Sequence, residues 1–389
     1  SIDFVFLNEG VFSLLNLLEK KAFEIEKLKE IDGIAIRYGD GVVFTGTPKV
    51  VPSDQIDLVM PGYAWDLLPY KDKPLDLYRS PYWHAQYVDD RRSPYAAIQT
   101  SIGCQFKCGF CMINLINKND ATEVSRASDY TGMRHWSIDF VGKELCKLIN
   151  MGVKTIRITD EMFLLNKKYY LPIINLLKEL NVNDDLCLWA YSRIDTVPDP
   201  TILADIRKAG FRWLCLGIES GEKSIRLEVS KGKFDEVDVE KVIRQVEDAG
   251  IHVMANYIYG LPGDTEESIQ ATYELSVKLN TLGWNTYAAM ALPGSPLYVD
   301  ALSEKDVVLP TTYEQFSFHS YETIPLPTNK LRASRVLQLR DQKFTEYFSR
   351  KELLDKVRLC FGDVAVDNII EMNTKVLKRK IIEEDKELS

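Results

Sequence analysis

No apolar run in this 389-residue chain approaches the roughly 20 residues that a bilayer-spanning helix needs, which excludes such a helix. Excess positive charge is missing too. The net charge is -9, whereas general nucleic-acid and anionic-membrane surfaces reward Lys and Arg, so neither a nucleic acid nor a membrane is expected as partner. The start, Ser1-Ile-Asp-Phe-Val-Phe6, lacks the basic stretch and small-residue cleavage site of a signal peptide, and it also lacks Met. Internal repeats and low-complexity segments are absent. Cysteine is sparse and odd in number, seven in all; without a secretory signal this disfavours a disulfide framework and favours metal or redox chemistry. These readings together predict a cytoplasmic protein. Against the absences stands a hydrophobic content of 46%, ample for a buried core. The length suggests about two to three domains at roughly 150 residues each.

Three regions and a linker divide the chain. Residues 1–72 carry a strand-like start (2–7), a helix-like run (11–28) and two strand-like pieces (33–38 and 41–45) around Gly39-Asp40-Gly41. That is too little alternation for a complete doubly wound domain, and it reads as the closing part of one, Rossmann-like in type. Residues 73–95, rich in Pro, Tyr, Asp and Arg, read as a linker. From 96 to 300 β-rich runs alternate with amphipathic helical stretches. Strands are predicted at 96–100, 155–159, 186–191, 213–218, 252–259 and 286–291, and helices at 140–150, 168–180, 199–209, 237–249 and 266–279. The fold class is therefore α/β, a partial (β/α)6 TIM-like barrel with right-handed crossovers. Residues 301–389 form a helical C-terminal extension, with helices at 331–347 and 364–382 and a charged, solvated tail.

The chemistry concentrates after the first barrel strand, in Thr100-Ser-Ile-Gly-Cys104-Gln-Phe-Lys-Cys108-Gly-Phe-Cys111. A cluster iron takes soft thiolate ligands, and a short loop is what presents several at once. Gly103 and Gly109 give that loop its freedom. Three thiolates on a four-iron cluster leave one iron open. Zinc is the alternative and needs a fourth ligand, which Cys146, Cys187, Cys215 or a histidine could supply only through space. Otherwise Cys146, Cys187, Cys215 and Cys360 read as small core residues.

With Phe110 as its aromatic, C-x3-C-x-aromatic-C resembles the signature loop of the radical S-adenosylmethionine (SAM) superfamily, and the likeness extends over residues 96–300. The resemblance implies a 4Fe–4S cluster on Cys104, Cys108 and Cys111. It also implies SAM chelated at the open iron, reductive cleavage to a 5′-deoxyadenosyl radical, and an electron donor such as flavodoxin or ferredoxin. Polar residues close the later strands at the end where barrel enzymes collect their functional groups. Asp160 and Glu161 resemble the motif that meets the SAM ammonium, or else are helix N-caps. Ser192 and Arg193 resemble the approach to the SAM carboxylate; the bland reading is an Arg193–Asp195 pair. Glu219 resembles the ribose contact, or is a helix cap. The stretch from Tyr257 through Gly260 to Thr265 resembles the adenine contact, with Asp264 as an N-cap. Leu292-Pro-Gly-Ser-Pro296 would border the substrate.

The flanks resemble the cobalamin-binding class of the superfamily, in Asp3-Phe-Val-Phe-Leu-Asn-Glu9-Gly10, residues 33–37, Pro61-Gly-Tyr-Ala-Trp65-Asp66-Leu-Leu-Pro69, residues 83–95 and Pro325-Leu-Pro-Thr328. The Asp-x-His-x-x-Gly loop of that class is missing. The chain then reads either as a fragment of a longer enzyme or as one that has lost cobalamin. The fragment is preferred, because half a doubly wound sheet would leave apolar edges uncovered. His84 reads as structural rather than as a cobalt ligand. Methyl transfer to a small molecule is the expected reaction. Radical rearrangement or cyclisation, and a non-catalytic iron–sulfur or zinc protein, are the alternatives; Gly39-Asp-Gly41 is no dinucleotide loop, lacking the third glycine and the helix.

Overall fold

The computed structural model describes residues 2–69, 95–120, 122–181, 186–229, 234 and 237–385. His84 and nearly all of the predicted linker lie outside the described residues.

Strands β1 (Phe4–Phe6), β2 (Ile34–Tyr38) and β3 (Gly41–Thr45) form an antiparallel sheet in that order. Phe4, Phe6, Ile34 and Ile36 share one face by period two and pack on Leu17, Ala22, Leu28 and Ile31. An antiparallel meander is what the edge of a mostly parallel sheet can carry. The helix expected over 11–28 is two helices, Val11–Lys20 and Ile25–Leu28. Lys21 takes φ 48° and its N–H closes on Leu18 O, so the chain turns and Ala22 is buried under the sheet.

The larger unit begins with β4 (Tyr95–Ile98) and β5 (Ser101–Cys104), followed by β6 (Gly132–His135), β7 (Thr155–Ile158), β8 (Cys187–Arg193), β9 (Phe211–Glu219), β10 (His252–Tyr259) and β11 (Gly283–Ala288). Six of them make one sheet in the order β11-β10-β9-β8-β7-β4, every neighbour parallel, curled into a half-barrel. Helices Ile138–Asn150, Lys167–Leu180, Pro200–Lys208, Val239–Asp248 and Glu266–Leu279 cover the outside. Each starts where a side chain accepts a helix N–H: Ser137, Asn166, Asp199, Asp238 and Thr265. Such a cap contributes about 1 kcal/mol. Thr265 therefore takes the cap expected of Asp264, whose carboxylate instead accepts from the N–H groups of Gly260 and Leu261.

β11 starts three residues before the strand expected at 286–291. Gly283 and Asn285 are poor strand formers, and pairing with Met254–Tyr259 is what recruits them. The β5–β6 hairpin was not anticipated, nor was helix Lys351–Phe361. The helix expected over 364–382 breaks after Asn373 and resumes as Lys380–Glu383. Between them Arg379 is drawn inward to Asp341, at 2.8 Å, and to the carbonyls of Phe318 and Ser320. Cys187 and Cys215 are core residues as expected, whereas Cys360 is exposed.

Side chains inside the curl follow strand parity. At the N-terminal strand ends Trp213 stacks on Trp189 and on Phe361, with His252 at 5.0 Å, and closes the floor. The N-terminal sheet is latched to the β5–β6 hairpin by a buried Arg134–Glu9 pair at 2.5 Å. Arg134 also donates to Val51 O and Asn117 Oδ1.

Candidate active site

The cysteine loop hangs between two anchors. Upstream, Asp160 beyond β7 accepts from Thr100 N, Thr100 Oγ1 and Ser101 Oγ, each at 2.6 Å, and so fixes the step from β4 into β5. Downstream, Gly109 N donates to Val229 O and Gly109 O accepts from Leu297 N. Within the loop, Asn114 Oδ1 accepts from Cys104 N at 2.9 Å and Asn114 Nδ2 donates to Phe106 O at 3.0 Å. Asn117 Nδ2 donates to Tyr130 O and Gly132 O. Gly103, at φ 85°, lies so close to Gly132 O and Asn117 that a Cβ would not fit. Backbone N–H groups of Phe106 and Ile113 point at Cys104 Sγ and Cys111 Sγ, at 3.4 and 3.5 Å. Asn114 and Asn117 escaped the sequence reading, because their partners are backbone atoms and, for Asn117, also Arg134, none of which any spacing marks.

All three thiols border one cavity of about 410 Å³ at the C-terminal ends of the strands. Burial pushes the Cys104 thiol up to about 11 and the Cys111 thiol up to about 12. Both are protonated at neutral pH, so binding of a metal there releases protons. Among the described residues no three His, Cys, Asp or Glu side chains converge as a single metal ion would require. Zinc would need a fourth convergent ligand, whereas a cluster of several irons takes thiolates of one short loop.

Across the cavity stand Phe110, Glu161, Ser192, Arg193 and Glu219, all anticipated from the sequence. Arg193 is paired bidentately with Asp195, at 2.6 and 2.5 Å, as the bland reading expected. That pair is buried rather than superficial. The guanidinium lies 3.5 Å over the Phe106 ring and beside Cys108, and its Nη1 makes no hydrogen bond. Glu219 ends β9 at φ 67°, a left-handed conformation uncommon outside glycine, and curls back over Gly217. Burial pushes its carboxyl up to about 7, although Arg193 pulls the other way. Glu161 is open to the cavity; burial first and Asp160 second raise its carboxyl above the usual range.

Asp160, Tyr257 and Gly260 stand apart from the cavity wall. Asp160 is occupied by the three hydrogen bonds above. Tyr257 is fully buried on the outer face, 6.3 Å from the Trp284 ring. Gly260, at φ 85°, makes room for Val336 of the helix Ala333–Phe348. The β10 side chains that do line the cavity are Asn256 and Ile258, on the opposite parity.

Residues 98–276 match the family model of the radical SAM superfamily. The chain carries a radical SAM domain. It is 26% identical over 362 residues to an uncharacterized methyltransferase of Pyrococcus horikoshii, covering 91% of this chain and 69% of the relative. It is 24% identical over 327 residues to an anaerobic magnesium-protoporphyrin IX monomethyl ester cyclase of Cereibacter sphaeroides, covering 82% of this chain but 47% of that enzyme. In fold it is similar to TsrM, a radical SAM methyltransferase from Kitasatospora setae (TM-score 0.52, 19% identity, 77% of this chain and 53% of that one). It is also similar to OxsB, a cobalamin-dependent SAM radical enzyme (TM-score 0.55, 14% identity, 94% of this chain and 62% of that one). The half-barrel is the sheet expected of such a domain. Among the described residues no helix is long and apolar enough to cross a membrane.

Proposed function

We propose that Cys104, Cys108 and Cys111 hold a 4Fe–4S cluster, and that the cavity beside it binds SAM and a small-molecule substrate for methyl transfer. The observation that carries this reading is the convergence of three thiols, Arg193 and Glu219 on one cavity. When bound, such a cluster supplies the electron for reductive cleavage of SAM. The protein's own part is to orient SAM and exclude water. Glu161 receives the SAM ammonium, and the free Nη1 of Arg193 faces the carboxylate while Asp195 holds the other two nitrogens in place. Glu219 accepts from the ribose hydroxyls, with Ser192 and Phe110 completing the wall. Asp160 positions the loop, and Asn256 and Ile258 take the places first assigned to Tyr257 and Gly260. An external donor such as flavodoxin or ferredoxin reduces the cluster.

Cobalamin fits less well. Residues 1–72 contain no histidine, and His84 lies outside the described residues. The reading of 1–72 as the closing part of a cobalamin-binding domain rests on its likeness in sequence. The methyl-transfer reading rests on the P. horikoshii relative, and the cyclase relative supports radical cyclisation as the second reading. The test is anaerobic reconstitution with iron and sulfide, then SAM and a strong reductant, with and without added cobalamin. The chain is expected to form 5′-deoxyadenosine, and a Cys108→Ala variant is expected to lose it. Failure to assemble a four-iron cluster would sink the reading. S-adenosylhomocysteine as a second product, once a substrate is supplied, separates methyl transfer from cyclisation.

A further inference from the structure

We propose that the cavity floor is an anion-receiving subsite in which Arg157 takes a carboxylate of the substrate. The assignment rests on the reading of this cavity as the catalytic one. It makes the substrate an apolar or aromatic molecule carrying a carboxylate.

Arg157 lies on β7 in register with Trp189, whose ring faces into the curl, so its own side chain does too. Its guanidinium lies 4.8 Å over the ring of Tyr191, a residue of the cavity wall. Cys215 and Tyr287, also in that wall, lie within the field of its charge. The buried arginines are matched: Arg134 with Glu9, Arg193 with Asp195, Arg340 and Arg379 with Asp341, and Arg226 with the carbonyls of Ser220 and Gly221. Arg157 is half-buried and has neither an ion pair nor a carbonyl partner among the described residues. Its Nε is buried with no hydrogen-bond partner, and no carboxylate among the described residues forms an ion pair with it. A half-buried cation whose Nε has neither water nor a partner gains from an anionic ligand that supplies both charge and acceptor.

The surroundings suit a carboxylate. No hydrogen bond among the described residues occupies the hydroxyls of Tyr191 and Tyr287, which leaves two donors beside the cation. Asn256, by contrast, is taken: its Nδ2 donates to Cys215 Sγ at 2.9 Å and its Oδ1 accepts from Asn285. Above this floor the wall turns apolar, with Phe110, Ile258, Met290, Leu292 and Phe318. Trp189 precedes Arg193 by four residues on β8, which sets the Arg157 backbone roughly 13 Å deeper than that of Arg193. The two arginines therefore serve different anions, one at the mouth and one at the floor.

The probes are 3-phenylpropionate and its uncharged amide, 3-phenylpropionamide. They are titrated calorimetrically into the cluster-reconstituted full chain in low-chloride buffer, without SAM or reductant. The acid is expected to bind at least tenfold more tightly than the amide. Arg157→Gln should bring the two within twofold, Arg157→Lys should keep an intermediate preference, and Tyr287→Phe should weaken the acid three- to fivefold while leaving the amide unchanged. Thermal melting establishes that each variant is folded, and if Arg157→Gln is not, the Lys and Phe variants carry the comparison. Equal binding of acid and amide to the parent overturns the assignment. So does an acid preference that persists unchanged in the variants, or the absence of saturable binding by either probe. Because the titration needs no SAM cleavage, its failure is distinct from a failure to form 5′-deoxyadenosine.

Discussion

Replacing Asp160 with Ala removes one carboxylate and three short hydrogen bonds, to Thr100 N, Thr100 Oγ1 and Ser101 Oγ. The Thr100 N–H is buried and left without a partner, which costs about 1–3 kcal/mol, and each lost hydroxyl bond adds about 1 kcal/mol. The sum, about 3–5 kcal/mol, corresponds to a fall of roughly 6–15 °C in the melting of the barrel. Asn at the same place keeps an oxygen for the Thr100 N–H and offers Nδ2 to hydroxyls that can accept. It also removes a liability. Burial holds the Asp160 carboxyl above its usual 3.8 despite the hydrogen bonds. A raised carboxyl adds stability that is present below the unfolded value and lost as pH rises through the folded one, a loss that an amide does not suffer. Asp160→Asn is therefore expected within about 1 kcal/mol of the parent at pH 7. Melting followed by circular dichroism, paired with SAM titration of the reconstituted protein, reads both effects. The reasoning is refuted if Asp160→Ala melts within about 2 °C of the parent yet no longer binds SAM. Asp160 would then be a ligand and not a lock.

Two further expectations concern the β9 end. A Cβ on Gly217 would collide with Glu219 Oε1, the tip of a movable side chain. Gly217→Ala should therefore melt within about 2 °C of the parent but bind SAM at least tenfold more weakly by calorimetry; unchanged affinity would remove Glu219 from the SAM site. The Glu219 carboxyl is pushed from 4.5 up to about 7 by burial, against Arg193. Its stabilising contribution is complete below pH 4.5 and lost as pH rises through about 7. Glu219→Gln escapes that loss, so its melting temperature should rise relative to the parent between pH 5 and pH 8, by at most about 3 kcal/mol of stability. A difference that stays flat across that range contradicts the buried, ionisable Glu219.

The sheet was legible because β7, β8, β9 and β10 are largely buried on both faces and read as compact apolar runs between turn signals. β11 was misplaced because its inward residues, Asn285 and Tyr287, are polar and its first residue is glycine. The thiols were legible by spacing alone. Asp160 was drawn to the right strand end, but its hold on the step from β4 into β5 was not foreseen. Its partners, Thr100 and Ser101, lie some 60 residues earlier, and no local pattern shows that they close on it. The break before Arg379 was illegible for the same reason, since the side chain that interrupts the helix is held by Asp341, 38 residues away.

Parity explains why Tyr257 stands off the cavity wall and bears on how the site is built. On β10 the sequence reading took Tyr257, whereas even-numbered residues face inward. On β9 the register slips: Gly217 stands opposite Asn256, and Glu219, not Ile218, stands opposite Tyr257. This bulge, with φ 67° at Glu219, turns the last side chain of the strand back over Gly217 and into the cavity. A side chain held in that conformation costs of order 1–3 kcal/mol, and burial of the carboxyl adds to it. Neither cost is fully recovered within the described residues, where Glu219 has the field of Arg193 and no hydrogen-bond donor. A ligand that donates hydrogen bonds to that carboxylate recovers part of both.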